Sequence, residues 1–240
     1  MTGLVEHLPW DSEFFGLPIG RVMLDGATED RLRAIEDEAR DAGVVCLYAS
    51  LDPGEPTTAY LAQRFGYRLV EVAITFSRPP APFTPPESSS RVRRGTPDDL
   101  PRLQAAIHTM APFSRFATDP RFGADAARRM HEAWITRAAR DAGERVLFVA
   151  EDDSGVTGVS TCVRSGVPRV DTTGVTKPGT GAADALMAAF FDWAGGGATE
   201  AGPCAARNVP VLRYVERCGF RAAQTRYLFH RWLDEAPEAS

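Results

Sequence analysis

The sequence predicts an α/β protein with a mixed central sheet flanked by helices and a smaller N-terminal α/β domain. Apolar segments with strand periodicity alternate along the chain with segments of helical periodicity. The stretch RPPAPFTPPESSS at residues 78–90 interrupts this alternation, because its prolines cannot continue a helix or a central strand. We therefore predict an N-terminal domain over 1–77, a semi-rigid linker over 78–90 and a larger domain over 91–236.

The N-terminal region is predicted to alternate strands and helices. Its clearest helix has apolar residues on one face and a glycine that can end it, at Leu32, Ile35, Ala39 and Gly43. Residues 44–49 form a short apolar strand. Apolar residues alternate from Val70 to Phe76, which is typical of a half-buried strand.

The C-terminal region opens with Thr96, Pro97 and Asp99, which suit an N-cap, a first-turn proline and a capping box. Helical spacing then continues through Leu100, Leu103, Ile107 and Met110. The elements predicted next are a helix over 124–141, strands over 145–151 and 156–163 with a turn between them, a strand ending near 175, and a helix over 182–194.

Composition narrows the class of protein. The chain has 240 residues and a net charge of −5, so the total charge does not suggest a nucleic-acid surface. Its four cysteines are scattered without metal-ligand spacing, so we expect no metal site. No apolar run is long enough to span a bilayer and the N-terminus has no apolar signal core, so we expect a cytoplasmic protein with no membrane partner. An exposed sheet edge would be compatible with a homodimer.

The segment NVPVLRYVERCGF at residues 208–220 resembles the last cofactor-binding element of the GCN5-related N-acetyltransferases (GNATs). Three further segments, at residues 10–22, 114–122 and 227–233, resemble one branch of this superfamily, the dTDP-fucosamine acetyltransferases. The resemblance implies a GNAT fold, acetyl-CoA as the acetyl donor, and an amine acceptor on a nucleotide-linked deoxysugar.

The resemblance places the cofactor loop in PGTGAADALM, between a strand and a helix. It implies that backbone groups in the early part of this segment hold the pyrophosphate, at Gly179, Thr180, Gly181, Ala182 and Ala183. Pro178 replaces the usual basic or amide side chain, and Lys177 lies beside it. A backbone N–H near Val175 would bind the acyl carbonyl, and Asn208 would lie beside the cofactor arm while capping the next helix.

The catalytic acid implied by the resemblance is a tyrosine that protonates the leaving thiolate. The usual tyrosine position is Val215 in this chain, and Tyr214 lies one residue earlier. One residue is a turn of about 100° on a regular helix, so the two side chains cannot point at the same sulfur. We predict Tyr214 as the acid if the helix is locally irregular; otherwise it is structural, and another group or water supplies the proton.

Three residues are candidates for the acceptor site. Arg115 suits a substrate phosphate, with a loop salt bridge to Asp119 as the alternative. Phe116 would add apolar contact to a sugar or base. Asp171, on the strand that ends near Val175, would orient or deprotonate the amine through water, or would be a solvated strand-end residue.

The sequence also contains an internal similarity. QRFGYRL at 63–69 resembles ERCGFRA at 216–222. Both stretches combine a helix end, a glycine, an aromatic residue and a strand start. Either the N-terminal region is a degenerate half of the same fold without a cofactor loop, or these are two ordinary helix-to-strand junctions.

The predicted function is N-acyl transfer from acetyl-CoA to a small primary amine, possibly an amino-deoxysugar nucleotide. Two alternatives follow from the changes at residues 178 and 215. An acyl-carrier protein or an aminoacyl-tRNA could deliver the acyl group, or the chain could be a non-catalytic CoA-binding module.

Overall fold

The computed structural model describes residues 3–141, 143–164 and 166–235. Its elements, in chain order, are β1 Glu6–His7, α1 Pro9–Phe15, β2 Ile19–Met23, α2 Glu29–Asp41, β3 Cys46–Leu51, α3 Pro56–Arg64, β4 Arg68–Arg78, β5 Arg91–Arg94, α4 Gln104–Met110, α5 Arg115–Thr118, α6 Gly123–Arg140, β6 Arg145–Asp152, β7 Gly155–Val163, β8 Arg169–Val175, α7 Ala182–Ala194, β9 Thr199–Ala205, α8 Val209–Arg217 and β10 Arg221–Trp232. Short 3₁₀ helices cover Pro97–Arg102 and Ala111–Phe113. None of the helices in the described ranges is long and apolar enough to cross a membrane.

The chain divides into two compact units. The first contains residues up to Ala73 together with those from Thr225 onward, and the second runs from Ile74 to Gln224. Strands β4 and β10 therefore contribute residues to both units. The sequence-based division placed residues 225–236 with the C-terminal domain, whereas residues 225–235 belong to the first unit. The predicted end points at residues 1 and 236 lie outside the described residues.

The first unit has strand order β1-β2-β3-β10. Strands β2 and β3 are parallel and joined by α2, and β10 pairs with β3 in the antiparallel sense. Helix α2 buries Leu32, Ile35 and Ala39, as the periodicity predicted. These side chains belong to a core that also includes Leu47 and Phe229.

The second unit has strand order β4-β9-β8-β7-β6-β5. Strands β5 to β8 pair in the antiparallel sense, and β8 is parallel to β9. One core joins α7 and α8 to side chains such as Phe76 and Cys162. Another joins α4 and α6 to side chains such as Leu147 and Val159. The predicted α/β fold with a mixed sheet and flanking helices is confirmed.

The capping box at Thr96 and Asp99 is present, but the helix predicted after it is interrupted. Pro101 lies inside the 3₁₀ helix and cannot donate to the preceding turn, so α4 starts only at Gln104. The helical spacing from Leu100 to Met110 is therefore divided between a 3₁₀ helix and α4, and does not form one continuous helix.

The two similar junctions have the same backbone geometry. Gly66 (φ 79°) follows α3 and Gly219 (φ 89°) follows α8, and both adopt the left-handed region that favours glycine. The next residues, Tyr67 and Phe220, are completely buried at the starts of their strands. The similarity is therefore one of structure as well as sequence, while a degenerate GNAT-like N-terminal domain stays a prediction.

A buried arginine covers each junction glycine. In the second unit, a Cβ on Gly219 would lie 3.1 Å from Nε of Arg78, which donates to the carbonyl oxygen of Cys218 at 3.0 Å. In the first unit, a Cβ on Gly66 would lie 3.3 Å from the guanidinium carbon of Arg231. In the sequence, Arg78 lies twelve residues after Gly66, and Arg231 lies twelve residues after Gly219. The spacing from glycine to arginine is therefore the same in both stretches, although each arginine covers the glycine of the other stretch.

The proline-rich linker packs along α7 in the second unit. Residues 79–90 contain no helix or strand. Pro82 accepts a hydrogen bond from Arg78 at 2.8 Å, and the Phe83 ring lies 4.9 Å from that of Phe191. Further along, Ser88 reaches the start of α7, where its Oγ lies 2.7 Å from the position of a Cβ on Gly181. The linker is therefore anchored at both ends of this helix.

Candidate functional site

Two parallel strands of the second unit separate after a short common start. In the described residues, β8 pairs with β9 only at Arg169–Glu200 and Val170–Ala201. Both strands continue beyond this point, to Val175 and Ala205. A gap therefore opens between the carboxyl-terminal halves of β8 and β9, where the sheet pairing is lost.

Local features on both strands explain this separation. The β7–β8 register shifts so that Thr161 faces Thr172 and Cys162 faces Val170, which leaves Asp171 as a bulged residue. On the other side of the gap, Gly202 of β9 has a φ of 98°, which lies outside the range of a regular strand. Both strands therefore depart from regular pairing just beyond their common start.

The backbone of Val175 presents a donor to this gap. The N–H of Thr176 donates to the carbonyl oxygen of Thr157 in β7, at 2.9 Å. Successive N–H groups of an extended strand point in opposite directions. The N–H of Val175 therefore points away from β7, toward the edge from which β9 has separated.

Helix α7 begins beside this gap with its first N–H groups uncapped. Gly181 is the N-cap residue in the left-handed conformation (φ 81°), and no side chain within the described ranges caps the helix. Gly179 also has a positive φ, and the hydroxyl of Thr180 donates to the carbonyl oxygen of Lys177 at 2.9 Å. Exposed N–H groups at a helix start suit a phosphate group. At this start, Gly181 and Ala183 are half-buried, whereas Ala182 is almost completely buried.

The corresponding helix of the first unit has a different start. Helix α2 joins parallel β2 and β3 as α7 joins β8 and β9. However, the Thr28 side chain accepts from the N–H of Arg31, and Glu29 and Asp30 place negative charge in the first turn. This start is unfavourable for phosphate. The acids in both first turns are ion-paired, since Arg33 contacts Glu29 and Asp30 and Arg217 contacts Asp184 at 2.9 Å, so the two starts differ in the Thr28 cap and in the number of acids.

Helix α8 is regular from Val209 to Arg217, so the side chains of Tyr214 and Val215 point in directions about 100° apart around the helix. Val215 is buried in the core, and the irregularity that would have turned Tyr214 into its place is not present. The Tyr214 hydroxyl instead donates to the carbonyl oxygen of Ala183 at 2.7 Å. Burial, together with the nearby Cys218 thiol, raises the pKa of Tyr214 well above its ordinary value. Asn208 caps α8, as predicted, by accepting from the N–H of Val211 at 3.4 Å.

The predicted acceptor residues lie in different environments. Phe116 is completely buried, 5.3 Å from the Phe122 ring and 6.3 Å from the Trp134 ring, so it presents no surface to a ligand in this conformation. Arg115 is half-buried with its guanidinium 4.7 Å from the centre of the Phe116 ring. A contact of Phe116 with a substrate would therefore require α5 to move.

Asp171 occupies the bulge on β8, directly after the last residue that pairs with β9. Its carboxylate lies 3.3 Å from Arg169 and 3.6 Å from Arg145. It is therefore an ion-paired residue, and the interpretation of a simply solvated strand-end aspartate does not describe its environment.

Sequence reasoning missed Ser88 and Arg207. Ser88 comes from the linker and lies against Gly181 and Thr180 at the start of α7. Arg207 precedes Asn208, and its Nη2 donates to the Ser114 carbonyl oxygen at 3.1 Å and to Thr118 Oγ1 at 2.9 Å. The serine run and the arginine next to the Asn208 cap were visible signals, but their partners lie about 90 residues away in sequence.

The separated parallel strands, the uncapped helix between them and the strand order together define the GCN5-related N-acetyltransferase fold. The structure is similar to a tandem GNAT protein from the clavulanic acid biosynthesis pathway, with a TM-score of 0.57, 15% identity, and coverage of 92% of this chain and 77% of that one. It is also similar to a GCN5-related N-acetyltransferase from Kribbella flavida, with a TM-score of 0.58, 16% identity and coverage of 89% and 80%.

A third similar structure is a conserved protein of unknown function from Staphylococcus epidermidis. It has a TM-score of 0.65, 12% identity and coverage of 90% of this chain and 84% of that one. No family model and no curated protein matches the sequence. At these identities, the similarity establishes the fold alone.

Proposed function

We propose that the chain is an N-acyltransferase that moves an acetyl group from acetyl-CoA to a small primary amine. The observation that carries the proposal is the gap between β8 and β9, with the N–H of Val175 pointing toward it and the uncapped start of α7 beside it. In the described ranges, no group of three or more His, Cys, Asp or Glu side chains is arranged to hold a metal.

The residues of this site suit acetyl-CoA in chemistry. Backbone N–H groups at Gly181, Ala182 and Ala183 would hold its pyrophosphate, and Ser88 offers a hydroxyl near a loop that has Pro178 instead of a basic side chain. The N–H of Val175 would bind the acetyl carbonyl and stabilise negative charge on its oxygen. Acetyl-CoA, when bound, supplies a thioester that is reactive toward amines.

The leaving thiolate and the acceptor amine each require a proton transfer. Because α8 is regular, the condition for Tyr214 as the acid is not met, so we propose that water or another group protonates the thiolate and that Tyr214 holds α8 against the start of α7. Asp171 would orient the amine where the β8–β9 pairing ends, and Arg145 and Arg169 would fix the Asp171 carboxylate. We propose an amino-deoxysugar nucleotide as the acceptor class, because the segments at residues 10–22, 114–122 and 227–233 resemble that branch.

Two measurements test this function. Native mass spectrometry of the purified protein detects bound CoA or acetyl-CoA, and a thiol-release assay with primary amines detects turnover. Bound CoA and amine-dependent thiol release are the expected results. Failure to bind CoA at millimolar concentration would contradict the proposal.

A second candidate function is CoA binding without catalysis. It is favoured by the Tyr214 hydroxyl, whose proton is donated to Ala183, and by the buried Val215 at the usual tyrosine position. CoA binding without thiol release from any amine would support it. Thiol release from an acyl-carrier protein, but not from CoA, would support a carrier-borne donor. Buried thiols at Cys162 and Cys218 suit the cytoplasm that we propose as the location.

A further inference from the structure

The Ser114–Thr118 segment contains two of the three predicted acceptor residues, Arg115 and Phe116, and one distant arginine holds it in place. The Nη2 atom of Arg207 makes both hydrogen bonds to it, to the Ser114 carbonyl oxygen and to the Thr118 hydroxyl. The guanidinium carbon also lies 5.9 Å from the centre of the Phe113 ring. An exposed arginine is thereby held in one position by three contacts with one segment.

The position of Arg207 in the chain connects this segment to the cofactor side. It follows β9, which forms one wall of the gap, and directly precedes Asn208, the cap of α8. The Ser114–Thr118 segment packs through Phe116 on α6. Arg207 therefore stands where the acceptor segment meets the end of the gap.

The charge of Arg207 is not neutralised by a neighbouring carboxylate. Across residues 3–141, 143–164 and 166–235, its contacts are a carbonyl oxygen, a hydroxyl and an aromatic ring, and Nε and Nη1 have no acceptor. Other arginines of this unit differ, since Arg93 pairs with Asp99 and Arg217 pairs with Asp184. A positioned guanidinium with unused N–H groups suits a carboxylate or phosphate on a ligand.

We propose that Arg207 is a specificity-determining residue that binds an anionic group on the acceptor amine while it holds the acceptor segment in place. The inference rests on the proposed acyltransferase function and adds the residue that would select an acceptor amine carrying a phosphate or a carboxylate. CoA also carries phosphates, but Arg207 contacts the acceptor segment, whereas the proposed pyrophosphate donors lie at Gly181–Ala183 on another loop.

The test compares two probes that differ by one phosphate, glucosamine and glucosamine 6-phosphate, with acetyl-CoA as the donor. Because one charge-assisted contact is gained, wild-type kcat/KM should be about tenfold higher for the phosphorylated probe. Arg207→Gln should bring the ratio close to one, mainly through KM, with CoA affinity unchanged. Arg207→Lys keeps the charge without the planar fork and should give an intermediate ratio. Arg213→Gln, on an exposed arginine of α8, is the matched control and should keep the wild-type ratio.

Equal turnover of both probes by the wild type, or an unchanged preference in Arg207→Gln, overturns the proposal while the acyltransferase function stands. Loss of CoA affinity in Arg207→Gln also overturns it, because the guanidinium would then serve the cofactor. If neither probe is acetylated, calorimetry on the CoA-loaded protein decides, and equal or absent binding of the two probes overturns it. A wild type that binds no CoA contradicts the proposed function itself.

Hydrogen exchange measures independently whether Arg207 holds the Ser114–Thr118 segment in place. The backbone amides of residues 114–118 should exchange faster in Arg207→Gln than in the wild type.

Discussion

The hydroxyl of Tyr214 donates to the carbonyl oxygen of Ala183 across 2.7 Å, which connects helix α8 to the first turn of helix α7. Ala183 belongs to the loop that we propose for the cofactor pyrophosphate. One phenol therefore connects α8 to the segment that would hold the cofactor. Because α8 is regular, the condition for Tyr214 as the acid is not met, whereas its role as an anchor is visible in the structure.

Tyr214→Phe removes the hydroxyl and keeps the ring. The lost hydrogen bond should lower the free energy of unfolding by about 1 kcal/mol, which urea denaturation measures. A positioned acid would in addition reduce kcat by about 10²–10⁴-fold with little change in CoA affinity, because its proton is needed only in the transition state. Tyr60→Phe, on an exposed tyrosine of α3, is the control and should change neither quantity. Wild-type turnover by Tyr214→Phe would exclude Tyr214 as the acid.

Gly181→Ala should weaken CoA binding selectively. The added Cβ would meet Ser88 at 2.7 Å, and the residue has a φ of 81°, which L side chains rarely adopt. Gly195 ends the same helix with a φ of 80° and has no atom within 4 Å of its Cβ position. Gly195→Ala should lose about 1 kcal/mol of stability and Gly181→Ala more, because only Gly181 also meets Ser88, and calorimetry should show weaker CoA binding for Gly181→Ala alone. Equal CoA affinity in the two variants would remove the Gly181 loop from the site.

Asp99 should make the stability of the protein depend on pH in the acid range. Hydrogen bonds from Arg93, with help from the Thr96 N–H, hold the pKa of Asp99 well below its ordinary value of 3.8. The folded state therefore favours the charged form, so this stabilisation is complete above pH 3.8 and is lost as pH falls through the lowered folded pKa.

Asp99→Asn should lower the free energy of unfolding by about 1–2 kcal/mol at pH 7. The difference from wild type should shrink as pH falls below 3.8, since protonation removes the same charge from the wild type. Urea titrations at several pH values measure it, with the exposed neighbour Asp98→Asn as the control. A difference that stays constant down to pH 2 would show that the charge of Asp99 is not responsible.

Arg78→Met should destabilise the second unit and release the linker. The substitution leaves the carbonyl oxygens of Cys218 and Pro82 without their donors, at a cost of about 2 kcal/mol. Limited proteolysis should then cut residues 79–90 faster than in the wild type. Arg91→Met, on an exposed arginine, is the control and should not change the rate of cleavage. Unchanged cleavage in Arg78→Met would show that the contacts of Phe83 and Ser88 hold the linker on α7 without Arg78.

The sequence was sufficient for elements whose pattern is local. The apolar face of α2, the capping box at Thr96 and the glycine stop after α8 depend on neighbours within a few residues, and all are present. Pro101 was a visible breaker, but its effect on the helix was underestimated. The residues that line the cofactor loop were named from a resemblance, and their roles stay predictions.

Long-range contacts explain what the sequence did not reveal. The end of β10 belongs to the first unit because it pairs with β3, about 180 residues earlier, and no local pattern encodes that pairing. Phe116 was expected to face a ligand, and its burial depends on Phe122 and on Trp134 of α6. The tether from Arg207 to Thr118 likewise joins segments whose proximity only the fold creates.

The arginine that covers Gly66 has a consequence for how the protein could have evolved. Arg231 lies near the end of the chain, and the strand that carries it completes the sheet of the first unit beside β3. A gene fragment that ended at the linker would encode β3 with an open edge and Gly66 without Arg231. Such a fragment would expose an unpaired strand edge and would tend to aggregate. Recombination at the linker, where domain shuffling would ordinarily be easiest, should therefore be strongly selected against in this chain.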